Sequence, residues 1–141
     1  GELPLKGGFP VSLYSELPKL FERAGNSTKG SITAFYSLLI ENEKSSDVLA
    51  EEVKSLLDGH IILSKKRMMK GMRPAINLLS SISRVRENIV SKEVNKKIDN
   101  TIRELSYLED NREWVNISGV KDERFLNAEK IEEEVMHNYT Y

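Results

Sequence analysis

The apolar positions follow two different patterns along this chain. Leu13, Leu17, Leu20 and Phe21 recur at spacings of three and four, which predicts an amphipathic helix over residues 11–24 that ends at Gly25-Asn26, with a kink or restart at Pro18. Residues 1–10, with three of the eight Gly and two of the four Pro, read as a loop. Ser31 to Ile40 is apolar with little alternation and predicts a buried strand. Ser45-Ser46-Asp47 offers caps for a helix over residues 48–57, with Leu49, Val53, Leu56 and Leu57 on one face and Gly59 as a left-handed residue after it. His60 to Ser64 predicts a second buried strand, and Lys65 to Lys70 a short basic helix stopped by Gly71 and Pro74. Strand, helix, strand favours an α/β layer with parallel strands and a right-handed crossover. Two strands are too few for such a sheet, so the missing ones are expected upstream of Gly1.

After Arg86 the period changes. Val94, Ile98, Ile102, Leu105 and Leu108 form one helical stripe among charged residues, predicting a long helix over residues 92–116 that Ser118-Gly119 ends. Phe125, Ala128, Ile131, Val135 and Met136 predict a second helix, and together the two read as an antiparallel helical hairpin. The expected division is an α/β part over residues 1–88 and an all-α part over residues 89–141. The acidic run Glu132-Glu133-Glu134 reads as a solvated helix face, with an interaction tail as the alternative.

Composition narrows the function. With 141 residues, 21 Lys+Arg against 22 Asp+Glu, and a pI near 6.2, the chain is not built to bind nucleic acid by bulk electrostatics. No cysteine is present, so disulfides, thiolate metal sites and cysteine nucleophiles are excluded. His60 and His137 are too far apart in sequence to form a spaced zinc pair. The longest apolar run, residues 32–40, is far shorter than a membrane helix. The first residues, Gly-Glu-Leu-Pro, carry neither Met nor a signal core and read as a cut into a longer chain.

Phosphate-loop, nucleophile-elbow, zinc-protease and dinucleotide-binding motifs are all missing. What remains is a charge asymmetry. Between Asp58 and Glu87 lie Lys65, Lys66, Arg67, Lys70, Arg73, Arg84 and Arg86 with no acidic residue and no partner nearby in sequence. The first four read as a solvated basic helix. Arg84 sits in the small and apolar context Leu79-Ser80-Ser81-Ile82-Ser83-Arg84-Val85. It reads either as a helix-capping Arg or as a planar fork reaching phosphate oxygens on another molecule.

The segments Gly8-Phe9-Pro10-Val11-Ser12, Leu17-Pro18-Lys19-Leu20-Phe21-Glu22-Arg23-Ala24-Gly25, Gly30-Ser31-Ile32-Thr33-Ala34-Phe35-Tyr36, Leu57-Asp58-Gly59-His60-Ile61-Ile62-Leu63-Ser64 and Pro74-Ala75-Ile76 through Ser81-Ile82-Ser83-Arg84-Val85 carry a family resemblance. In order and spacing they resemble the C-terminal part of the ATPases of type III secretion and flagellar protein export, relatives of the rotary ATP synthase headpiece. The resemblance is close over residues 1–92 and loose beyond. It implies the C-terminal half of a P-loop (RecA-like) nucleotide-binding domain followed by a helical C-terminal domain. It further implies a homo-hexamer that hydrolyses ATP with Mg²⁺ and drives protein export at the cytoplasmic face of the inner cell membrane. The implied partners are a central stalk, export chaperones and other secretion apparatus proteins, with no nucleic acid and with membrane association only through partners.

By the same resemblance Arg84 is an arginine finger reaching the neighbouring subunit's γ-phosphate, Arg73 and Pro74 flank the adenine, and Lys121, Asp122, Glu123 and Arg124 form a partner-binding tip. The plainer alternative for that tip is a solvated polar turn. Two departures stand out. Export ATPases usually have an aromatic residue before Pro-Ala-Ile and an Asp after it, where this chain has Arg73 and Asn77, the wording of the non-catalytic subunit of rotary ATP synthases. Gly7 stands where the family commonly has Arg. A non-catalytic regulatory subunit of a rotary ATPase is therefore the first alternative, and a helical protein-interaction module the second. Lacking a phosphate loop, the chain by itself is expected to be inactive.

Overall fold

The computed structural model describes residues 9–40 and 47–137. It forms two compact units, Gly1–Asp58 and Gly59–Tyr141. No described helix is long and apolar enough to cross a membrane.

In the first unit, α1 (Val11–Phe21) runs through Pro18 as one element instead of restarting there. Two three-residue strands, β1 (Gly25–Ser27) and β2 (Gly30–Ile32), pair antiparallel through a tight turn. The predicted buried strand ends at Ile32, with Phe35 93% and Leu39 91% exposed. A strand needs a ladder partner and cover on its faces. Among the described residues β2 has only the three positions of β1, so the apolar run beyond it has neither. Phe21 and Tyr36 meet edge to face, their ring centres 4.6 Å apart. Helix α2 (Val48–Leu56) starts at Asp47, whose Oδ1 accepts from the amides of Leu49 and Ala50 at 2.9 and 3.3 Å. Ser45, Ser46 and Gly7 lie outside the described residues. The face carrying Leu49, Ala50 and Val53 is buried, and α1 packs on α2.

The second unit begins with β3 (Gly59–His60), paired antiparallel with β4 (Ile82–Ser83). Neither observed pairing is parallel, and Ile61 and Leu63 are exposed where a buried strand is predicted. Gly59 is not the left-handed residue that the sequence suggests. It is small because β4 lies against it: a Cβ there would sit 2.6 Å from the Ile82 carbonyl oxygen. Ser64 caps α3 (Lys65–Met69), and Gly71, with φ +78, turns the chain after it. A 3₁₀ turn (Leu78–Ser80), β4 and a short helix α4 (Arg86–Ile89) lead to α5 (Lys92–Ser118). Ser91 caps the start of α5, and Gly119, at φ +70, ends it as the sequence predicts. Helix α6 (Glu123–His137) follows.

The predicted antiparallel hairpin needs correction. A simple hairpin closing at residues 119–122 would set the start of α6 against the end of α5. Instead Asp122 meets Tyr107, Arg124 meets Glu104, and Glu132 meets Arg112. The connecting loop thus folds back along α5, and the pairs advance together along the two helices, so α6 follows α5 in the same sense and not antiparallel to it. The cause is the distribution of apolar groups: Phe125 and Ala128 of α6 are seated with Leu108 and Val115 of α5, and Tyr107 packs against the cluster. Helix α6 is about 23 Å long against about 40 Å for α5, at ~1.5 Å per residue. It leaves the first half of the α5 stripe open, with Val94 43% and Ile102 39% exposed. Helix α4 and the 3₁₀ turn also pack on α5.

Candidate functional site

The Arg73–Pro74 loop is held at both ends by backbone hydrogen bonds. On the far side, the Ser64 amide donates to the Ala75 carbonyl at 2.8 Å, the Asn77 amide donates to the Ile62 carbonyl at 2.8 Å, and Leu63 bridges Ile76. On the near side the Met72 amide donates to the Arg67 carbonyl at 3.1 Å. Asn77, one of the sequence departures, acts locally, because its Oδ1 accepts from the Ser80 amide at 3.3 Å and so caps the 3₁₀ turn. The Ser81 hydroxyl donates to the Asn77 carbonyl at 2.7 Å and accepts from the Ile62 amide at 3.0 Å. His60 Nε2 lies 3.1 Å from the Ser80 carbonyl oxygen, which makes it part of this scaffold. Arg73 and Pro74 themselves are exposed on the framed loop.

Arg84 is exposed in the turn between β4 and α4. The turn is fixed from both sides, by the β3–β4 pairing before it and by Arg86 after it, whose guanidinium donates to Asp99 Oδ1 on α5 at 2.6 Å. A surface pair of this kind sets geometry more than it adds stability. Asn95 Nδ2 donates to the Val90 carbonyl at 3.1 Å and fastens the start of α5 to the end of α4.

Three of the cations that lack partners nearby in sequence, Lys66, Arg67 and Arg86, find them in α5 and α6. Lys66 Nζ lies 3.4 Å from Glu109 Oε1, and Arg67 lies 3.7 Å from Glu132 Oε1. Glu132 Oε2 also receives Arg112. Of the acidic run only Glu133 and Glu134 are solvated, while the Glu132 side chain is 16% exposed. The signal for this lies in helical phase, because Phe125, Ala128 and Glu132 share one three–four stripe. Burial by itself raises the Glu109 carboxyl, yet Lys66 and Arg112 beside it outweigh that and hold it below the usual range. A groove of about 580 Å³ is lined by Lys66 of α3 and Lys70 at its end, by Glu109, Asp110, Arg112 and Glu113 of α5, and by Lys121 just before α6 and Glu129 within it. Its mixed charges give no preference for an anion.

The four predicted tip residues are brought together, but three of them are engaged within the chain. Asp122 caps α6 through the Phe125 amide at 2.6 Å and accepts from the Tyr107 hydroxyl at 2.7 Å. Arg124 makes a bidentate pair with Glu104 at 3.0 and 3.1 Å while lying 4.0 Å over the Tyr107 ring. Lys121 pairs with Glu129 at 2.7 Å. Glu123 is exposed in the first turn of α6. Tyr107 and Glu104 hold two of these residues; the large aromatic Tyr107 stands out in the sequence near the far end of the long helix, whereas Glu104 is not among the positions that sequence spacing singles out.

This cluster makes stability depend on pH at both ends of the scale. The Tyr107 hydroxyl and the Phe125 amide lower the Asp122 carboxyl, and Arg124 lowers Glu104. Groups depressed in the folded state stabilise it above the ordinary carboxylate range and cease to do so as pH falls through their folded values. Tyr107 is raised by its hydrogen bond to Asp122, so its contribution is present below the ordinary tyrosine range and lost on further alkalinisation. Thermal melts followed by circular dichroism should show a midpoint that falls at acid pH. The double substitution Asp122→Asn, Glu104→Gln should flatten that fall. An unchanged acid slope would show that these carboxylates do not govern it.

Residues 1–83 match the ATP synthase alpha/beta family, nucleotide-binding domain. The chain is 53% identical over 90 residues to a type 3 secretion system ATPase of Xanthomonas euvesicatoria, covering 64% of this chain and 20% of that protein. To a flagellum-specific ATP synthase of Buchnera aphidicola it is 44% identical over 119 residues, covering 83% of this chain and 26% of that protein. Among solved structures it resembles the assembled ATPase EscN in complex with its central stalk EscO, from the type III secretion system of enteropathogenic E. coli, with a TM-score of 0.81 and 33% identity. That likeness covers 100% of this chain and 34% of the EscN chain. The chain spans about a fifth to a quarter of the length of the curated relatives it matches. The match over residues 1–83, together with relatives named as secretion and flagellar ATPases, shows that this chain belongs to the ATP synthase alpha/beta family through its nucleotide-binding domain.

Proposed function

We propose that this chain is the later part of a hexameric ATPase that couples ATP hydrolysis to protein export, for type III secretion or for the flagellum. In this reading residues 1–88 complete the nucleotide-binding domain and residues 89–141 form the helical C-terminal domain. The complete protein works in the cytoplasm at the inner face of the cell membrane. The observation that carries the reading is the setting of Arg84, an exposed residue on a turn braced by a strand pair and by the Arg86–Asp99 bond, in a chain similar to secretion ATPases. A planar cation on a braced turn suits delivery of positive charge to a neighbouring subunit's phosphates. Arg73 and Pro74 flank the base, with the Arg plane available for stacking. The Lys121–Arg124 segment faces the central stalk, and export chaperones and other apparatus proteins are further partners. Mg²⁺ enters with the nucleotide; among the described residues no group of three His, Cys, Asp or Glu side chains is placed to hold a metal ion.

The test is a chimera. The matching segment of the Xanthomonas euvesicatoria ATPase is replaced by this chain, and assembly, ATP binding, turnover and secretion are measured. Turnover within about ten-fold of the parent, at the ~10 s⁻¹ scale of ordinary enzymes, together with restored secretion is the expected result. Arg73 and Asn77 favour a second reading, the non-catalytic regulatory subunit. An assembled chimera that binds ATP without turning it over would put that reading in place of the first.

A further inference from the structure

Glu132 stands where three helices meet. Its Oε1 faces Arg67 of α3 at 3.7 Å, and its Oε2 receives Arg112 of α5. The side chains of Arg67 and Glu132 are each 16% exposed and that of Arg112 is 28% exposed, so the cluster is largely shielded from water. Arg67 continues the connection toward the framed loop. Its NH1 lies 3.9 Å from both Met72 Sδ and Met136 Sδ, and its carbonyl accepts the Met72 and Lys70 amides at 3.1 Å each. Met72 is followed directly by Arg73 and Pro74. One carboxylate on α6 therefore fixes the guanidinium whose own backbone closes the turn into that loop.

We propose that Glu132 is a positioning residue for the Arg73–Pro74 loop, acting through Arg67 to tie the loop's conformation to the place of α6. The loop's contact with nucleotide rests on the function proposed above; the mechanical link does not. Without the carboxylate, Arg67 loses the anion that ties it to α6, while Arg112 keeps Glu109 at 3.2 Å, so α3 is released from α6. The two Arg residues separate the link from general stability. Arg67→Gln cuts α3 from Glu132 and leaves the α5–α6 pair, whereas Arg112→Gln cuts the α5–α6 pair and leaves Arg67 its anion.

Amide hydrogen exchange on this chain reads the link directly. In Glu132→Gln and in Arg67→Gln, exchange at Met72 and Asn77 should quicken by about ten-fold or more relative to the amides of Leu108 and Val115. In Arg112→Gln the loop amides should keep pace with the helix amides. Uniform acceleration in all three variants, or unchanged loop exchange in Arg67→Gln, would overturn the proposal. If Glu132→Gln does not fold, the comparison of the two Arg variants decides it alone. In the complete ATPase, Arg67→Gln should raise KM for ATP by about three- to ten-fold with kcat within about two-fold. Faster loop exchange with an unchanged KM would leave the link standing and overturn the nucleotide-flanking role of the loop.

Discussion

Replacing Arg84 by Ala in the complete assembled ATPase should lower ATP turnover by about 10³-fold or more, the range seen when an arginine finger is withdrawn from a nucleotide hydrolase. Nucleotide affinity should change far less, because a finger acts on charge that develops as the phosphoryl group transfers and only weakly on the bound ground state. Folding should also be preserved, since Arg84 is exposed and its turn is held by other groups, the β3–β4 pairing and the Arg86–Asp99 bond. Arg84→Lys retains the charge but loses the planar fork, and it should recover only a small part of the rate. Turnover, ATP binding and thermal midpoint measured on the same preparations check this. A variant that loses its midpoint along with its rate would show Arg84 to be structural.

The second large effect falls on the helices. Leu108 is 1% exposed and is the largest fully buried side chain among the described residues. Leu108→Ala removes its contacts with the cluster of Val115, Phe125 and Ala128 and leaves a cavity. Such truncations cost about 2–5 kcal/mol. Against the ~5–15 kcal/mol that holds a typical domain, this is a large fraction. Helix α6 and its bonds from Asp122, Arg124 and Glu132 to α5 should stay in place but be held by less free energy. Urea denaturation followed by circular dichroism should show a clearly lower midpoint with the slope unchanged. Leu108→Met, which nearly conserves volume, should cost less than ~1.5 kcal/mol. Equal losses for the two substitutions would mean that packing at this site is not what seats α6.

Glycine illustrates how local signals divide into those that decide themselves and those that do not. Gly119 follows the last helical residue, and a left-handed residue there completes the helix end whatever lies around it, so its role is legible in the sequence. Gly59 presents the same local pattern after α2. Its actual reason is the Ile82 carbonyl oxygen, which would lie 2.6 Å from any Cβ there and comes from 23 residues further along the chain. The same division holds for charge. A run of cations with no acid nearby in sequence reads as solvated, but Lys66, Arg67 and Arg86 are answered by Glu109, Glu132 and Asp99, all brought in by later helices.

The sequence by itself determined helices α1, α2, α3, α5 and α6, the cap at Asp47 and the stop at Gly119, because helix formation and capping depend on residues within a few positions of each other. It also carried the ordered motifs that mark the family, and it singled out Arg84. The tertiary structure alone decided that the apolar run after Ile32 is uncovered and that the strand pairs are antiparallel, since a strand is defined by partners elsewhere in the chain. It alone decided that α6 pairs with α5 in the same sense instead of antiparallel. Periodicity states which face of a helix is apolar, but where two such faces meet depends on which side chains fill the space between them, here Phe125 and Ala128 against Leu108 and Val115.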